Sequence, residues 1–345
     1  PIPDAAEAAL QPAEIKTCEQ LYLTGLHLEQ YRHATFSPVD YYEEALRRDP
    51  MDYRCNNALG LWYLRRGRFD VAEPYLRRAV KVIMRRNYDG EPIYNLALCL
   101  KCLGRFNEAY ELFWKSTWNK GWADAGYLAA AQLSLMQGRL DDALEEVGRA
   151  LDNNRRNHKA RALMATVLRC LGREDEALKL CDESLALDAF NYGCLYEKYL
   201  LTGDMEVLKQ LQTLMHGMPN NYDELALDYM QMGRKEEAIA VWSMADSLGA
   251  VTPMTYYYMG WAGDDEAFKR AAAADPAYCF PNRIEDVLAL SAAMEANPED
   301  ARAPYYLGCL YYDKRQYGVA TELWERSAKL DPKYPTVWRN LALSL

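Results

Sequence analysis

The chain has 345 residues, of which 50% are hydrophobic, and 40 Lys and Arg against 50 Asp and Glu give it a formal net charge of -10. Its apolar content is high enough for a folded core and too high for a disordered tail. The acidic balance argues against nucleic acid as a partner, since phosphate binding needs an excess of basic side chains. No apolar run reaches the roughly 18 residues that span a bilayer, so no membrane association is expected.

The cysteines and the first residues bear on where the protein works. Nine cysteines, an odd number scattered along the chain, indicate free thiols in a reducing compartment, and we therefore expect a cytoplasmic location. The stretch Pro1–Asp4 has neither the positive region nor the apolar segment of a signal peptide. It also lacks an initiator Met, which suggests a piece of a longer protein.

A short pattern recurs five times along the chain. It consists of Gly-Arg, a small residue five places after the glycine and another small residue twelve places after it. The glycines are Gly67, Gly104, Gly138, Gly172 and Gly233. The small residues are Ala72 and Ala79, Ala109 and Ser116, Ala143 and Ala150, Ala177 and Ser184, and Ala238 and Ala245.

We interpret each copy of this pattern as two antiparallel helices. The glycine ends the first helix in a left-handed conformation, which costs other residues roughly 1 kcal/mol or more. The second helix begins with acidic or amide residues near its positive end, such as Asp70, Asn107, Asp141 and Asp175. The small residues let the two helices approach closely.

These offsets resemble the tetratricopeptide repeat, a 34-residue helix pair with small residues, a turn glycine and a terminal proline. The best match runs from Ala301 to Tyr334, where Leu307-Gly308, Tyr311, Ala320, Trp324 and Asp331-Pro332 stand in the expected places. The resemblance covers nearly the whole chain. It implies an all-α fold, a right-handed α-solenoid of stacked antiparallel helix pairs.

We divide the chain into a loose lead-in segment, 1–18, and a solenoid, 19–345. The predicted units lie near 19–52, 53–89, 90–123, 124–157, 158–191, 192–218, 219–252, 253–276, 277–300 and 301–334, with a half unit at 335–345. Three units are irregular. Gly203 ends one first helix early, Trp261–Asp265 replaces a helix end and turn, and Ile284–Ala296 is a second helix without a first. We expect a regular superhelix to about residue 190 and a kinked or tightened one beyond it.

Two stretches carry a narrower resemblance. Gly25–Arg32 and Tyr278–Arg283 look like parts of repeat arrays in large bacterial proteins that have an N-terminal β-rich domain of unknown function, sometimes near carbohydrate-utilisation enzymes. This resemblance implies a bacterial protein in which the array is an accessory arm and its groove is filled by another domain of the same chain.

The residues that could carry catalysis or hold a metal are few. Cys99 and Cys102 form a Cys-x-x-Cys on a predicted first helix, but no second pair of Cys or His completes a zinc site. The acidic pairs Glu145-Glu146 and Glu236-Glu237 fall where solvated helix faces are expected. We therefore predict that the chain is not an enzyme and uses no cofactor and no metal.

The resemblance also implies that first helices line a concave binding groove. Residues at the second, fifth, ninth and thirteenth positions of a unit share one helical stripe. This stripe and its neighbours predict the binding residues Arg54, Asn57, Arg65, Tyr94, Asn95, Gln132, Lys159, Tyr257, Tyr258, Trp261, Tyr305 and Tyr306. Asn can bind a peptide backbone and Arg a carboxylate.

The stripe favours a protein-interaction scaffold that holds a peptide or a partner helix. The alternative is a glycan or small-molecule binder that stacks its ligand on the C-terminal aromatic residues. For any single tyrosine, packing between repeats is a further alternative, because aromatic side chains bury large areas.

A basic run marks the N-terminal units. Eleven basic residues against four acidic ones lie between Arg47 and Arg86, a local balance of +7. Such an asymmetry would steer an acidic partner toward these units. The alternative is a solvated outer helix face with no binding role.

Overall fold

The computed structural model describes residues 8–31, 35–84 and 89–344. Within these ranges all the regular structure is helical, which confirms the predicted all-α class, and no strand occurs. Single-turn 3-10 helices lie at Pro12–Glu14 and Lys120–Trp122. The α-helices are α1 (Cys18–Gln30), α2 (Pro38–Arg48), α3 (Tyr53–Leu64), α4 (Phe69–Ile83), α5 (Glu91–Cys102), α6 (Phe106–Ser116), α7 (Ala123–Met136), α8 (Leu140–Asn153), α9 (His158–Cys170), α10 (Glu174–Leu187), α11 (Tyr192–Thr202), α12 (Met205–Met215), α13 (Pro219–Gln231), α14 (Lys235–Ser247), α15 (Pro253–Ala262), α16 (Asp265–Ala273), α17 (Ile284–Ala296), α18 (Arg302–Asp313), α19 (Tyr317–Leu330) and α20 (Pro335–Ser344).

These helices belong to two compact bodies, Pro1–Gly126 and Tyr127–Leu345. In the first, which we call the N-terminal body, helices pack in the pairs α1 with α2, α3 with α4 and α5 with α6. In the second, the C-terminal body, the same pairing joins α9 with α10, α13 with α14, α15 with α16 and α18 with α19. Each body is therefore a stack of the predicted helix pairs.

The turn inside a pair has the predicted left-handed glycine. The φ angles of the five glycines in the Gly-Arg pattern lie between 70° and 75°. The next residue donates its N–H back to a carbonyl near the helix end, as from Arg68 to Tyr63 at 3.0 Å and from Arg173 to Leu168 at 2.9 Å. This motif satisfies carbonyls that the helix end leaves open. In the turn between α18 and α19 the same position is Arg315, with φ 59°.

The ten small residues of the pattern are all completely buried. Glycines inside first helices allow an equally close approach. A Cβ added to Gly60 would lie 2.5 Å from Cγ of Leu76 on the paired helix, and one added to Gly308 would lie 2.5 Å from the indole of Trp324. Close helix contact at these positions thus follows from side-chain size.

The lead-in segment is fixed to α2 where the structure describes it. Tyr41 donates its hydroxyl to the carbonyl of Leu10 at 2.9 Å, and Arg48 donates to the carbonyl of Ile15 at 2.6 Å. Ile15 is buried. The expectation of a loose lead-in is therefore wrong for residues 10–15, while residues 1–7 lie outside the described part of the chain.

The repeats of the C-terminal body are irregular beyond residue 190, where we expect a kinked or tightened superhelix. Helix α11 ends after eleven residues at Gly203, whose φ is 65°. Beyond it, residues two repeats apart meet: Lys159 Nζ lies 2.5 Å from Asp228 Oδ2, and Arg169 lies 3.0 Å from Glu237. These ion pairs join α9 to α13 and to α14, across the repeat that lies between them in sequence.

A buried ionic network links the helices of this region. Glu197 on α11 has no exposed surface, and its carboxylate accepts hydrogen bonds from Thr166 Oγ1 at 2.9 Å, Arg169 Nε at 2.6 Å and Tyr229 Oη at 2.6 Å. Arg169 also binds Glu237. Because donors from α9 and α13 meet one carboxylate of α11, the network joins three consecutive first helices.

Two acidic residues expected on solvated faces are buried instead. Glu145 and Glu236 are exposed, but Glu146 and Glu237 are only 1% and 8% exposed. Glu146 shares the buried stripe of α8 with Ala143, Val147 and Ala150, so the register of the small residues turns it inward. Glu237 is compensated by Arg169 and Arg234.

The segment before α17 replaces a helix. The bounds of α17 are those predicted for a second helix without a first, and it packs against α15 and α18. Residues 274–283, which we call the 274–283 loop, stand where the first helix of this repeat would lie. Tyr278 in this loop has φ 58° and is 90% exposed. The loop borders the cavities described below.

Candidate functional site

The amides predicted for the N-terminal groove bind each other. Asn57 and Asn95 are 8% and 3% exposed, and Asn95 Nδ2 donates to Asn57 Oδ1 at 3.0 Å. Asn57 Nδ2 in turn donates to Glu91 Oε1 at 3.0 Å. These hydrogen bonds hold α3 against α5, so the two amides are not presented to a ligand.

The two arginines of the same stripe reach back to α1. Arg54 Nη1 lies 2.5 Å from Glu19 Oε2, and its guanidinium lies 4.9 Å from the ring centre of Tyr22. Arg65 Nη1 lies 3.3 Å from Glu29 Oε1, with 59% of its side chain exposed. Both contacts join neighbouring repeats, and Arg65 keeps a solvent-facing side.

Tyr94 and Gln132 are both half-buried, on α5 and α7. The Tyr94 ring packs against Phe113 at 5.3 Å and Trp122 at 5.0 Å between ring centres. Burial raises the pKa of the Tyr94 hydroxyl, and the negative charge of Asp124 raises it further. Tyr94 is thus mainly a packing residue.

The basic run does not form an uncompensated patch in the described part of the chain. Arg85 and Arg86 lie outside the described residues. Six of the other arginines in the run pair with carboxylates, and Arg54, Arg65 and Arg77 do so with another helix. The six are Arg47, Arg48, Arg54, Arg65, Arg68 and Arg77. The positive charge counted along the sequence is therefore partly neutralised by carboxylates that lie nearby in the fold. This favours the alternative of a solvated helix face with no binding role.

Three of the predicted groove tyrosines are core residues, which corrects that expectation. Tyr257, Tyr258 and Tyr306 are at most 2% exposed. Tyr257 donates its hydroxyl to Asp300 Oδ2 at 2.9 Å, and Tyr258 donates to Asp286. Because the 274–283 loop and α17 cover this part of α15, adjacent tyrosines are both enclosed. The remaining predicted residue of α15, Trp261, is half-buried.

Tyr305 lines a cavity of about 480 Å³ between α18 and α20. The 274–283 loop supplies the third wall, where Phe280 is 78% exposed. The residues that the two helices turn toward the cavity lie one turn apart along each helix. They are Tyr305, Cys309 and Tyr312 on α18 and Thr336, Arg339, Asn340 and Leu343 on α20. We call this space the α18–α20 cavity.

Ring contacts fix the walls of the α18–α20 cavity. The ring centres of Tyr305 and Tyr334 are 5.0 Å apart in an edge-to-face arrangement, and those of Tyr312 and Trp324 are 5.2 Å apart. The guanidinium of Arg302 lies 3.7 Å from the centre of the Tyr334 ring. Such contacts keep aromatic surface in place without a ligand.

One exposed cation stands at the edge of these rings. Arg339 donates to Asn340 Oδ1 at 3.3 Å, and Asn340 Nδ2 donates to Cys309 Sγ at 3.6 Å. No carboxylate of the described residues forms an ion pair with Arg339. The cavity can therefore hold an apolar group between rings and an anionic group beside the guanidinium.

The sequence held a signal for this cavity. Tyr305 and Cys309 are the fifth and ninth positions of the predicted unit 301–334. Thr336, Arg339 and Leu343 are the second, fifth and ninth positions of the half unit 335–345. The stripe that predicts groove residues, continued into the half unit, identifies both helical walls. It does not identify the loop, because a loop has no helical register.

Comparison with known families agrees with these helix pairs. A family model described as tetratricopeptide repeat matches residues 39–92 and 128–192. The chain contains tetratricopeptide repeats.

Two solved structures are similar to this chain in fold. A tetratricopeptide repeat protein from Parabacteroides merdae is 15% identical, with a TM-score of 0.52, and the match covers 71% of this chain and 98% of that one. PilF from Pseudomonas aeruginosa is 19% identical, with a TM-score of 0.50, and the match covers 62% of this chain and 95% of that one. At such identities the likeness concerns the fold alone.

The fold has a general functional consequence. Tetratricopeptide repeats form protein-interaction scaffolds, and a scaffold of this kind needs no catalytic residues. Among the described residues no helix is both long and apolar enough to cross a bilayer. Cys99, half of the Cys-x-x-Cys, is buried and donates to the carbonyl of Phe69 at 3.4 Å, as a packed thiol does.

Proposed function

We propose that this protein is a non-catalytic interaction scaffold that binds an extended peptide in the α18–α20 cavity. The observation that carries the proposal is the convergence of two successive first helices and a loop on about 480 Å³ with aromatic walls. Aromatic rings provide apolar contact area to a peptide side chain, and ligand sites are commonly of this volume.

The lining carries two charged side chains, Asp275 in the 274–283 loop and Arg339 on α20, and the Arg339 guanidinium supports an acidic peptide. Arg339 is exposed and forms no ion pair with the described carboxylates, whereas most cations of the basic run are compensated. A guanidinium binds a carboxylate through charge-assisted hydrogen bonds. We therefore infer a peptide in which an apolar side chain lies close to an Asp, a Glu or a terminal carboxylate.

A stacking platform for glycans has less support. It was predicted from five aromatic residues, of which Tyr257, Tyr258 and Tyr306 are in the core. The rings that do reach the cavity meet edge to face or at a tilt, so they do not present one broad flat face. The wall geometry supports a peptide side chain instead.

The thiols support a cytoplasmic location for the scaffold. All nine cysteines are free, and five of them are buried. Buried thiols that serve as apolar packing groups are typical of proteins in reducing compartments. We therefore place the proposed complex in the cytoplasm.

A peptide screen tests the proposal. Random peptides displayed on phage are selected on the full chain, and the affinity of the selected sequences is then measured by fluorescence anisotropy. We expect selected peptides to combine an apolar and an acidic residue. The variant Arg339→Glu should weaken them at least tenfold, since a hydrogen bond to a charged group contributes about 1.5–3 kcal/mol.

Two further variants locate the peptide. Thr336→Trp places a large side chain into the cavity and should abolish binding. The control Arg156→Glu makes the same charge change at an exposed residue of the α8–α9 turn and should leave the affinity unchanged. Equal affinity of the wild type, Arg339→Glu and Thr336→Trp would show that the cavity is not the peptide site.

A further inference from the structure

A second cavity, of about 290 Å³, has a different chemical character. It shares Tyr278, Cys279 and Phe280 with the α18–α20 cavity, but most of its remaining lining is polar. Asn220 and Asp223 enter it from α13, and Asn282 enters it from the end of the 274–283 loop. We call it the Asp223 cavity.

Asp223 is buried, and only one of its two carboxylate oxygens accepts a hydrogen bond from the described residues. The residue is 4% exposed, and its Oδ1 accepts hydrogen bonds from Trp242 Nε1 at 3.0 Å and Thr255 Oγ1 at 3.2 Å. Both donors reach the same oxygen, and no donor in the described part of the chain reaches Oδ2. Because Asp223 lines the cavity and its other oxygen is occupied, Oδ2 is the oxygen available there. Oδ2 is not one of the enclosed side-chain atoms that lack a partner, so it is open to the cavity, where a ligand that donates a hydrogen bond can replace water.

The other charged groups of the cavity are satisfied. Asp286 accepts from Tyr258 through Oδ1 and from the N–H groups of Asn282 and Arg283 through Oδ2, at 2.7 and 2.8 Å. The guanidinium of Arg283 is paired with Glu224 on α13. Neither Asp223 nor Asp286 has a cationic partner among the described residues, so the charge that faces the cavity is negative, and the carboxylate oxygen still free to accept is Oδ2 of Asp223.

The surroundings of Asp223 determine the pH range in which its carboxyl group is ionised. Burial raises its pKa to about 7, the neighbouring Asp286 raises it as well, and Arg283 together with the hydrogen bonds from Thr255 and Trp242 lowers it. At the mouth, Tyr278 and Phe280 are 90% and 78% exposed. Aromatic faces at this position would contact a cation favourably.

We propose that the Asp223 cavity binds an ammonium or guanidinium group, which donates to Asp223 Oδ2. The side-chain oxygens of Asn220 and Asn282 in the lining are further acceptors for its N–H groups. The volume suits the end of one side chain rather than a whole small-molecule ligand. The cation is either a Lys or Arg side chain of a protein partner or a free small amine. This inference does not depend on peptide binding in the α18–α20 cavity.

Calorimetric titration of the full chain with n-butylammonium and n-butylguanidinium chloride, at matched ionic strength, tests the proposal. We expect binding that strengthens roughly tenfold from pH 6 to pH 8, because the ionised fraction of a carboxyl with a pKa near 7 rises about tenfold over that range. The variant Asp223→Asn should lose the binding and its pH dependence, while Asn keeps an oxygen for Trp242 and Thr255. Asp265→Asn removes the same charge from an exposed site on α16 and is the matched control. Retained binding in Asp223→Asn would overturn the proposal.

A measurement on the wild type keeps the test valid if Asp223→Asn folds poorly. Carboxyl ¹³C NMR should show that n-butylammonium lowers the apparent pKa of Asp223 and leaves the carboxyl signal of Asp265 unchanged. An unchanged Asp223 titration would refute the site. A pentapeptide with a central Lys, compared with its norleucine counterpart, shows whether the cation comes from a protein or from a free amine. If the Lys peptide binds more tightly than n-butylammonium, the cation is a side chain of a protein. If n-butylammonium binds more tightly, the cation is a free amine. Arg339→Glu should leave all these results unchanged. A failure of peptide binding in the α18–α20 cavity can therefore be distinguished from a failure of cation binding in the Asp223 cavity.

Discussion

The close approach of α18 and α19 can be tested with two identical substitutions in different surroundings. Gly308 lies inside α18, and a Cβ there would be 2.5 Å from Cδ1 and Nε1 of Trp324. Gly148 lies inside α8, and a Cβ there would meet nothing within 4 Å. Gly308→Ala and Gly148→Ala thus add the same methyl group to a closed site and to an open one.

The magnitudes follow from these distances. In an interior helical position, Ala is favoured over Gly by about 1 kcal/mol, and both variants gain this. At Gly308 the indole must also move by about 1 Å to reach ordinary contact distance. Trp324 is 2% exposed and donates to the carbonyl of Tyr305 at 3.3 Å, so the movement costs about 1–3 kcal/mol, as overpacking usually does. The unfolding free energies of the two variants should therefore differ by about 1–3 kcal/mol, with Gly148→Ala above the wild type.

Urea unfolding followed by tryptophan fluorescence and far-ultraviolet circular dichroism measures this difference. Because repeat arrays can unfold in stages, hydrogen exchange of α18 and α19 should accompany the bulk transition. Exchange should accelerate there in Gly308→Ala alone. Since Trp324 lines the α18–α20 cavity, the same variant should also weaken peptide binding. Equal shifts for both substitutions would refute the reasoning that helix approach at Gly308 depends on the absence of a Cβ.

Three further outcomes are expected. Arg315→Gly should stabilise the C-terminal body by about 1 kcal/mol, because Arg315 has φ 59°, a conformation in which glycine has no steric penalty. The control is Arg156→Gly, at an exposed residue outside the left-handed region. It should not increase the unfolding free energy measured by chemical denaturation. Glu197→Ala should cost about 3–5 kcal/mol, since it leaves Arg169 in a buried site without its main partner, and a loss no larger than that of exposed Glu145→Ala would contradict the network. Asp223→Asn should be more stable than the wild type at pH 8 by a few kcal/mol. Burial raises the pKa of Asp223 from 3.8 to about 7, so ionisation in the folded state lowers wild-type stability progressively as the pH rises from about 4 to 7; denaturant midpoints measured from pH 4 to pH 8 check whether the gap between the two proteins widens over this interval.

The features that the sequence predicted well are local to one helix pair. The left-handed turn at Gly67 and the complete burial of Ala72 and Ala79 depend on residues within one repeat, where spacing alone determines which atoms meet. The same holds for α17, whose bounds are those predicted for a second helix without a first.

The features that the sequence did not predict depend on the angle between repeats. Lys159 meets Asp228 across 69 positions of sequence. A helical stripe in the sequence identifies which face of a helix is turned inward, but it does not give the distance from that face to a helix two repeats away. Tyr257 and Tyr258 fall on the predicted stripe or beside it, yet the 274–283 loop and Asp300 enclose them. An irregular repeat changes what its neighbours contact, and periodicity carries no information about that change.

The loss of one helix before α17 has a consequence for cooperativity. In a linear array, each repeat is stabilised chiefly by the interfaces with its nearest neighbours. Where the 274–283 loop takes the place of a helix, one such interface is reduced, so the stretches before and after it share less stabilisation free energy. Local opening events should therefore begin at this joint and spread outward, which makes the segment that borders both cavities also the first to exchange its amide protons.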